Sequence, residues 1–318
     1  EDRVELVNAI KEKLQILLWD RPVESQVLPY AYFKDTSPND ELPESVRGKH
    51  VYVVSDVFSN RKNTQNDPAL VDDRYEYSRW FLRAAKIFGA KTINILYPAF
   101  PYARDDKFDH MGCAEHIKRT PNRASMVIED CLNRGVSYMI THDIHNFATL
   151  SFPRVGAMNT NFISLWYGWM IKEVMNRIWL HAENTILSGT DEWAVKKIVA
   201  ACKDLGVNHL TSIKTRDYTK PNSVSKIEVY GDCTDKDVIL YDDIFDTGAT
   251  MLTCLRKVCE KKPRSVNLLI SHGLFNGDSL EKLLEAHKQW LFTKLYITNS
   301  VLRTQLETFF EEHNYPSF

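Results

Sequence analysis

Apolar residues recur at helical spacing near the start of the chain, at Leu6, Ile10, Leu14 and Leu17, and predict a helix there. The β-branched run HVYVV at 50–54 predicts a strand, and the polar, Asn- and Asp-rich stretch 58–68 predicts a loop. A helix is expected over 72–88, stopped by Gly89, with the strand INILY after it. Thr120-Pro121 places proline at a first helical position and Gly135 closes that helix. VSYMIT then reads as a buried strand. The second half repeats the rhythm: a strand near 184–188, a helix over 192–205 closed by Gly206, and a strand over 209–213. A strand at 237–241, a helix at 249–261 and strands at 266–270 and 293–297 follow. Such alternation predicts an α/β fold of parallel sheets covered by helices on both faces.

Length changes the picture by requiring more than one core. The 318 residues fit two domains of about 150 residues each. SFPRVG at 151–156 interrupts the pattern, so the expected domains are 1–155 and 156–318. A hydrophobic content of 44% with 26% charged residues is that of an ordinary soluble protein. The formal charge of −2 provides no global basic field, so neither nucleic acid nor an acidic membrane is an implied partner. Any phosphate binding has to be local. No apolar run approaches the roughly 18 residues of a membrane span. The opening EDRVELVNAI lacks the basic-then-apolar layout of a signal peptide, and a cytoplasmic protein is expected. The six cysteines (Cys113, Cys131, Cys202, Cys233, Cys254 and Cys259) are scattered without a CxxC pair and read as thiols kept reduced.

Candidate chemistry concentrates in VILYDDIFDTGATM, residues 238–251. An apolar strand ends in Asp242-Asp243, and Asp246-Thr247-Gly248-Ala249-Thr250 turns into a helix. Gly248 permits a tight turn, loop N–H groups and Thr hydroxyls can donate to a phosphate, and the helix N-terminus favours negative charge. The paired carboxylates suit ribose hydroxyls or a magnesium-bound substrate. A capped acidic turn would also use Asp and Thr, without binding anything. The segment is not a Walker loop, because the chain has no GxxxxGK[ST].

The DDxxDTGxT pattern after a strand resembles the phosphoribosyl-diphosphate-binding fingerprint of phosphoribosyltransferases and ribose-phosphate diphosphokinases. Three further segments favour the diphosphokinases (PRPP synthetases). PAFPYARDDKFD at 98–109 is similar to their FPYARQDKKD segment, THDIHN at 141–146 to their DLH, and SIKTRD at 212–217 to their mobile KxR loop. ESVRGKHVYVV at 44–54 and SHGLF at 271–275 match as well, so the resemblance runs in order from about 30 to 300. It implies two tandem phosphoribosyltransferase-like domains and transfer of the β,γ-diphosphate of MgATP to the 1-hydroxyl of ribose 5-phosphate. Lys214, Arg216 and Arg104 are the implied catalytic cations. Phe33, Asp35, Ser37, Arg104, Asp105, Asp106, Lys107 and His145 are the implied ATP contacts. Asp191, Asp242, Asp243 and residues 246–250 are implied for the ribose phosphate, and His145 and Asp191 for magnesium. A homo-oligomer, dimer or hexamer, is implied in the same way.

The chain departs from that family in four places. The PDAGG loop is SGTDEWA at 188–194, so two glycines are replaced by Glu192 and Trp193, with Asp191, or less well Thr190, standing for the loop Asp. The adenine-reading FSNxE becomes Phe33-Lys34-Asp35-Thr36-Ser37. Asp105 replaces a Gln and adds a negative charge that calls for magnesium or another cation nearby. Insertions fall near 58–68 and 110–118, and the C-terminal end is shorter than usual. The altered 188–194 loop motivates a second acceptor, ADP-ribose, whose extra base Trp193 could stack, although an aromatic there could equally pack into the core. A non-catalytic regulatory paralogue and a simple phosphoribosyltransferase are the competing readings. The Lys214, Arg216 and His145 positions oppose the first, and the FPYAR and DIH segments oppose the second.

Overall fold

The structure is a computed structural model and describes residues 4–17, 24–25, 34, 41–42, 44–58, 70–106, 121–147, 149, 161–165, 167–215 and 226–301, with 306 and 309. The chain divides into two compact units, residues 1–141 with 148–163, and residues 142–147 with 164–318. The short segment 142–147 therefore belongs to the second unit. The expected seam at 151–156 and most of the expected 58–68 loop lie outside the described residues.

In the first part of the chain come α1 (Val4–Leu17), β1 (His50–Val54), α2 (Leu70–Ile87), β2 (Thr92–Tyr97), α3 (Arg123–Asn133), β3 (Tyr138–His142) and β4 (Asn161–Leu165). These strands form a sheet in the order β1-β2-β3-β4, with β1 parallel to β2 and β2 parallel to β3. The helix α3 starts at Arg123, two residues after the expected proline start. The reason is local. The Asn122 side chain accepts a hydrogen bond from the Ser125 N–H at 3.1 Å, which makes Asn122 the cap and leaves Pro121 outside the helix. The sequence reading also passed over β4.

The second unit holds α4 (Gly168–Arg177), β5 (Thr185–Gly189), α5 (Glu192–Leu205), β6 (Asn208–Thr215), β7 (Lys226–Tyr230), β8 (Asp237–Phe245), α6 (Ala249–Cys259), β9 (Ser265–Gly273), α7 (Ser279–Lys288) and β10 (Lys294–Ile297). The strand order is β10-β9-β8-β5-β6-β7, all parallel except β7, which runs antiparallel to β6 at the edge. The parallel α/β architecture is as expected, with this one edge strand added. Consecutive residues of the central strands serve opposite faces. Ile186, Val238, Leu240, Leu268 and Ile270 pack with Met251, Leu252 and Leu255 of α6 and Leu283 of α7. Leu187, Ile239, Tyr241 and Leu269 pack with Ile171 and Val174 of α4 and Ile198 and Ala201 of α5. Burial on both faces explains why these strands read as continuous apolar runs. Among the described residues, no helix is long and apolar enough to cross a membrane.

Candidate functional site

Strand order locates the site. From β5 the chain crosses through α5 to β6 on one side, while from β8 it crosses through α6 to β9 on the other. The direction of winding reverses between β5 and β8, and open α/β sheets bind ligands beyond the carboxyl ends of the strands at such a point. Here those ends carry Gly189-Thr190-Asp191 and Asp242-Asp243, held in register by the pairing of Gly189 with Tyr241. Gly189 is required by space. A Cβ there would lie 2.4 Å from the Val195 nitrogen and 2.6 Å from the Ala194 carbonyl carbon, so α5 begins directly against the strand end.

Beyond β8 the chain turns through Asp246 and Thr247 to Gly248, which caps α6 at φ 76°. A non-glycine residue there would be strained and would also meet the Phe245 ring at 2.7 Å. The turn is anchored from outside: the Asn276 side-chain amide donates to Asp246 Oδ1 at 2.7 Å and the Asn276 N–H to its carbonyl at 3.1 Å. The first N–H groups of α6 are those a helix leaves without an intrahelical acceptor, and they border Thr247, Gly248, Ala249 and Thr250. Lys214, near the end of β6, donates from Nζ to Thr250 Oγ1 at 3.1 Å. Two expected site segments far apart in sequence thus meet at one loop. Arg216 lies outside the described residues.

Asp242 and Asp243 are both buried. Burial raises the Asp242 carboxyl well above the usual range, and the neighbouring Asp243 and Asp191 charges add to the effect. Burial would do the same to Asp243, but the Lys197 ammonium and the His145 ring overcome it and hold that carboxyl below the usual range. His145 Nδ1 lies 2.7 Å from Asp243 Oδ2, so the expected magnesium and ATP histidine is bound to a ribose-side carboxylate. Lys197 Nζ lies 3.0 Å from the same oxygen and 2.9 Å from Asp143 Oδ1. Sequence reasoning missed Lys197 and Asp143. The signal was present for Lys197, which shares the buried stripe Ala194, Ile198 and Ala201 of α5, where a lysine is out of place.

Asp191 caps α5, its Oδ1 accepting from the N–H groups of Trp193 and Ala194 at 3.0 Å each. Trp193 does not enter the core as the alternative reading held. It is 41% exposed, and Lys196 Nζ stands 4.4 Å from its ring centroid. In the first unit, Tyr102 at φ 53° turns the PYARDD segment, leaving Arg104 exposed. Asp105 pairs with Arg123 at 2.8 Å, so the cation that its extra charge calls for is supplied by α3. Both carboxylate oxygens of Asp106 are buried without a hydrogen-bond partner. Phe33, Asp35, Ser37 and Lys107 lie outside the described residues.

Among the described residues, no group of three or more His, Cys, Asp or Glu side chains could hold a metal alone. Magnesium needs less, because it binds through one or two carboxylates together with substrate phosphates and water. The Asp242-Asp243 pair fits that demand, since a divalent cation would offset the burial, and the neighbouring Asp243 and Asp191 charges, that raise Asp242. The expected ligands His145 and Asp191 contact Asp243 and the start of α5 respectively.

Comparison with known proteins points the same way. The family model for the N-terminal domain of ribose phosphate pyrophosphokinase matches residues 2–122. Ribose-phosphate pyrophosphokinase 4 of Saccharomyces cerevisiae is 28% identical over 300 residues, covering 93% of this chain and 81% of its own length. The ribose-phosphate pyrophosphokinase of Aquifex aeolicus is 27% identical over 269 residues, covering 85% and 77%. In fold, the chain resembles the phosphoribosylpyrophosphate synthetase of Mycobacterium smegmatis, with a TM-score of 0.68 at 20% identity over 95% of each chain. A parallel sheet with its acidic strand end and phosphate-type loop at the winding reversal thus accompanies an N-terminal match to the ribose phosphate pyrophosphokinase model and similarity along most of the chain to ribose-phosphate pyrophosphokinases.

Proposed function

We propose that the protein transfers the β,γ-diphosphate of ATP to the 1-hydroxyl of ribose 5-phosphate, giving the 1-diphosphate and AMP. The observation that carries this reading is the Lys214–Thr250 contact, which sets a cation on the loop suited to phosphate. A bond forms between the ribose 1-oxygen and the β-phosphorus, and the bond from that phosphorus to the α,β-bridging oxygen breaks. AMP leaves with the electron pair, and the hydroxyl proton passes to solvent. Such transfer needs positioning and neutralisation of charge more than covalent help. Magnesium, when bound, neutralises phosphate charge and orients the phosphates. Lys214 places positive charge at the loop, with Arg216 and Arg104 assigned to the same task. Asp242, Asp243, Asp246 and the 247–250 turn hold the ribose phosphate, while Asp105, Asp106, Lys107, Phe33, Asp35 and Ser37 are assigned to ATP.

A second acceptor, ADP-ribose, is favoured by one observation, the exposed indole of Trp193 at the first turn of α5 beside Asp191. Stacking a base on such a face contributes about 1–3 kcal/mol. The test is incubation with magnesium, ATP and a panel of acceptors, with products resolved by mass. AMP together with ribose 5-phosphate gained by one diphosphate is the expected result. Better use of ADP-ribose, lost in Trp193→Ala, selects the second acceptor. Folded protein that yields no AMP with any acceptor returns the chain to the regulatory reading.

A further inference from the structure

Asp143 is wholly buried and adopts a left-handed backbone at φ 43°, a costly conformation for a residue with a side chain. Many partners hold it there. Lys197, Tyr241 and Ser271 all donate to its carboxylate, and its N–H donates to the Leu165 carbonyl at 3.3 Å. His272 Nε2 lies 3.1 Å from the His142 carbonyl and 3.3 Å from that of Asp143. Two residues on, His145 reaches Asp243, and Lys197 closes the circuit by touching both carboxylates. Only 5% of the Lys197 side chain is exposed.

We propose that Lys197 is a positioning residue, whose buried ammonium ties the 142–147 segment to the end of β8 and so sets His145 and Asp243 for the transfer. Stability alone is a poor explanation, because a buried ion pair replaced by apolar groups of similar volume often leaves stability unchanged or improved. Geometry is a better one. Lys197 and His145 share a single oxygen of Asp243, so displacing the ammonium changes what that oxygen offers to the imidazole. Asp143 in turn uses its second oxygen for Tyr241 and Ser271, which leaves Oδ1 to the lysine. The segment is thereby fixed at both its backbone and its side chain. This deepens the proposed function and rests on it for the catalytic consequence, whereas the tie itself is a physical property of the second unit.

The test compares wild type, Asp143→Asn, and the double variant Lys197→Met with Asp143→Asn. The double variant removes one positive and one negative charge together, so it keeps the interior balanced where Lys197→Met alone could fail to fold. Amide hydrogen exchange of 142–147 is followed against β9 as an internal reference, and turnover and Michaelis constants are followed by AMP release. In the folded double variant, exchange of 142–147 should be about 10-fold faster than in Asp143→Asn, since an opening equilibrium changes with the contacts that close it. Turnover should fall about 10²-fold further, with a smaller change in the Michaelis constant for ATP, as expected when reacting groups are displaced by about an ångström. Exchange and turnover equal to those of Asp143→Asn would show that Lys197 only balances charge and would overturn the proposal. Faster exchange with unchanged turnover would overturn it too. Should the wild type release no AMP with any acceptor, the proposed function fails, and the exchange arm alone decides the tie.

Discussion

Lys214 and Arg123 each set a single cation beside a residue that the sequence reading assigned to phosphate or ATP, Thr250 in the one case and Asp105 in the other. Lys214→Ala should cut turnover about 10²–10³-fold with little change in acceptor affinity, because its charge acts where negative charge develops. Steady-state kinetics decide this, and an unchanged turnover number would remove Lys214 from the chemistry. Arg123 neutralises Asp105 in a partly exposed pair, which typically contributes about 0.2–1 kcal/mol. Arg123→Ala should therefore raise the Michaelis constant for ATP by about fivefold at most, and adding Asp105→Asn should restore it. No recovery in the double variant would mean that the Asp105 charge is not what Arg123 offsets. The loop residues were legible in the sequence because DDIFDTGAT is local: strand, turn and helix start are contiguous. Lys197 was not, because its partners Asp143 and Asp243 lie 54 and 46 residues away and only the folded sheet brings them to it.

At the scale of elements, the strands buried on both faces were the easiest to read and the edges the hardest. β8 and β9 carry the buried apolar stretches VILY and LLI, whereas β7 (KIEVY) alternates and owes its place to pairing with β6. The proline before α3 misled the reading, because an asparagine cap one residue later supplied the stronger local interaction. In α7, Leu283 and Ala286 are buried at helical spacing, so that signal was present and passed over. The close approach of α5 to β5 makes a sharper claim. Gly189→Ala would force a Cβ into backbone atoms 2.4 and 2.6 Å away, and overpacking of this kind costs about 1–3 kcal/mol. The variant should melt at lower temperature and shift the first turn of α5, lowering activity through Asp191 and Trp193. A variant as stable as wild type would contradict the packing described here.

For the whole molecule, a pair of buried histidines ties stability to pH. His142 and His272 lie with ring centroids 5.8 Å apart. Burial, reinforced by His272, pulls His142 down to about 4, and burial also lowers His272. Unfolded chain near the ordinary value of about 6.5 binds the proton first. The contribution of His142 is therefore fully present above about 6.5 and is lost as pH falls towards 4, at about 2 kcal/mol between pH 7 and 5. Chemical denaturation across that range should show the loss, and His142→Gln should flatten it; an identical slope in the variant would refute the assignment. The fold class was readable because the alternation of elements spans the chain, and the acceptor was not, because it depends on what a substituted loop at 188–194 admits. The central claim is that an intact diphosphate moves from ATP to a ribose 1-hydroxyl. Its most direct test follows ATP radiolabelled at the γ-phosphate during incubation with magnesium and ribose 5-phosphate. The account predicts label on the ribose product and unlabelled AMP in equal amount. Label recovered as inorganic phosphate or diphosphate, with the ribose phosphate unchanged, would contradict it.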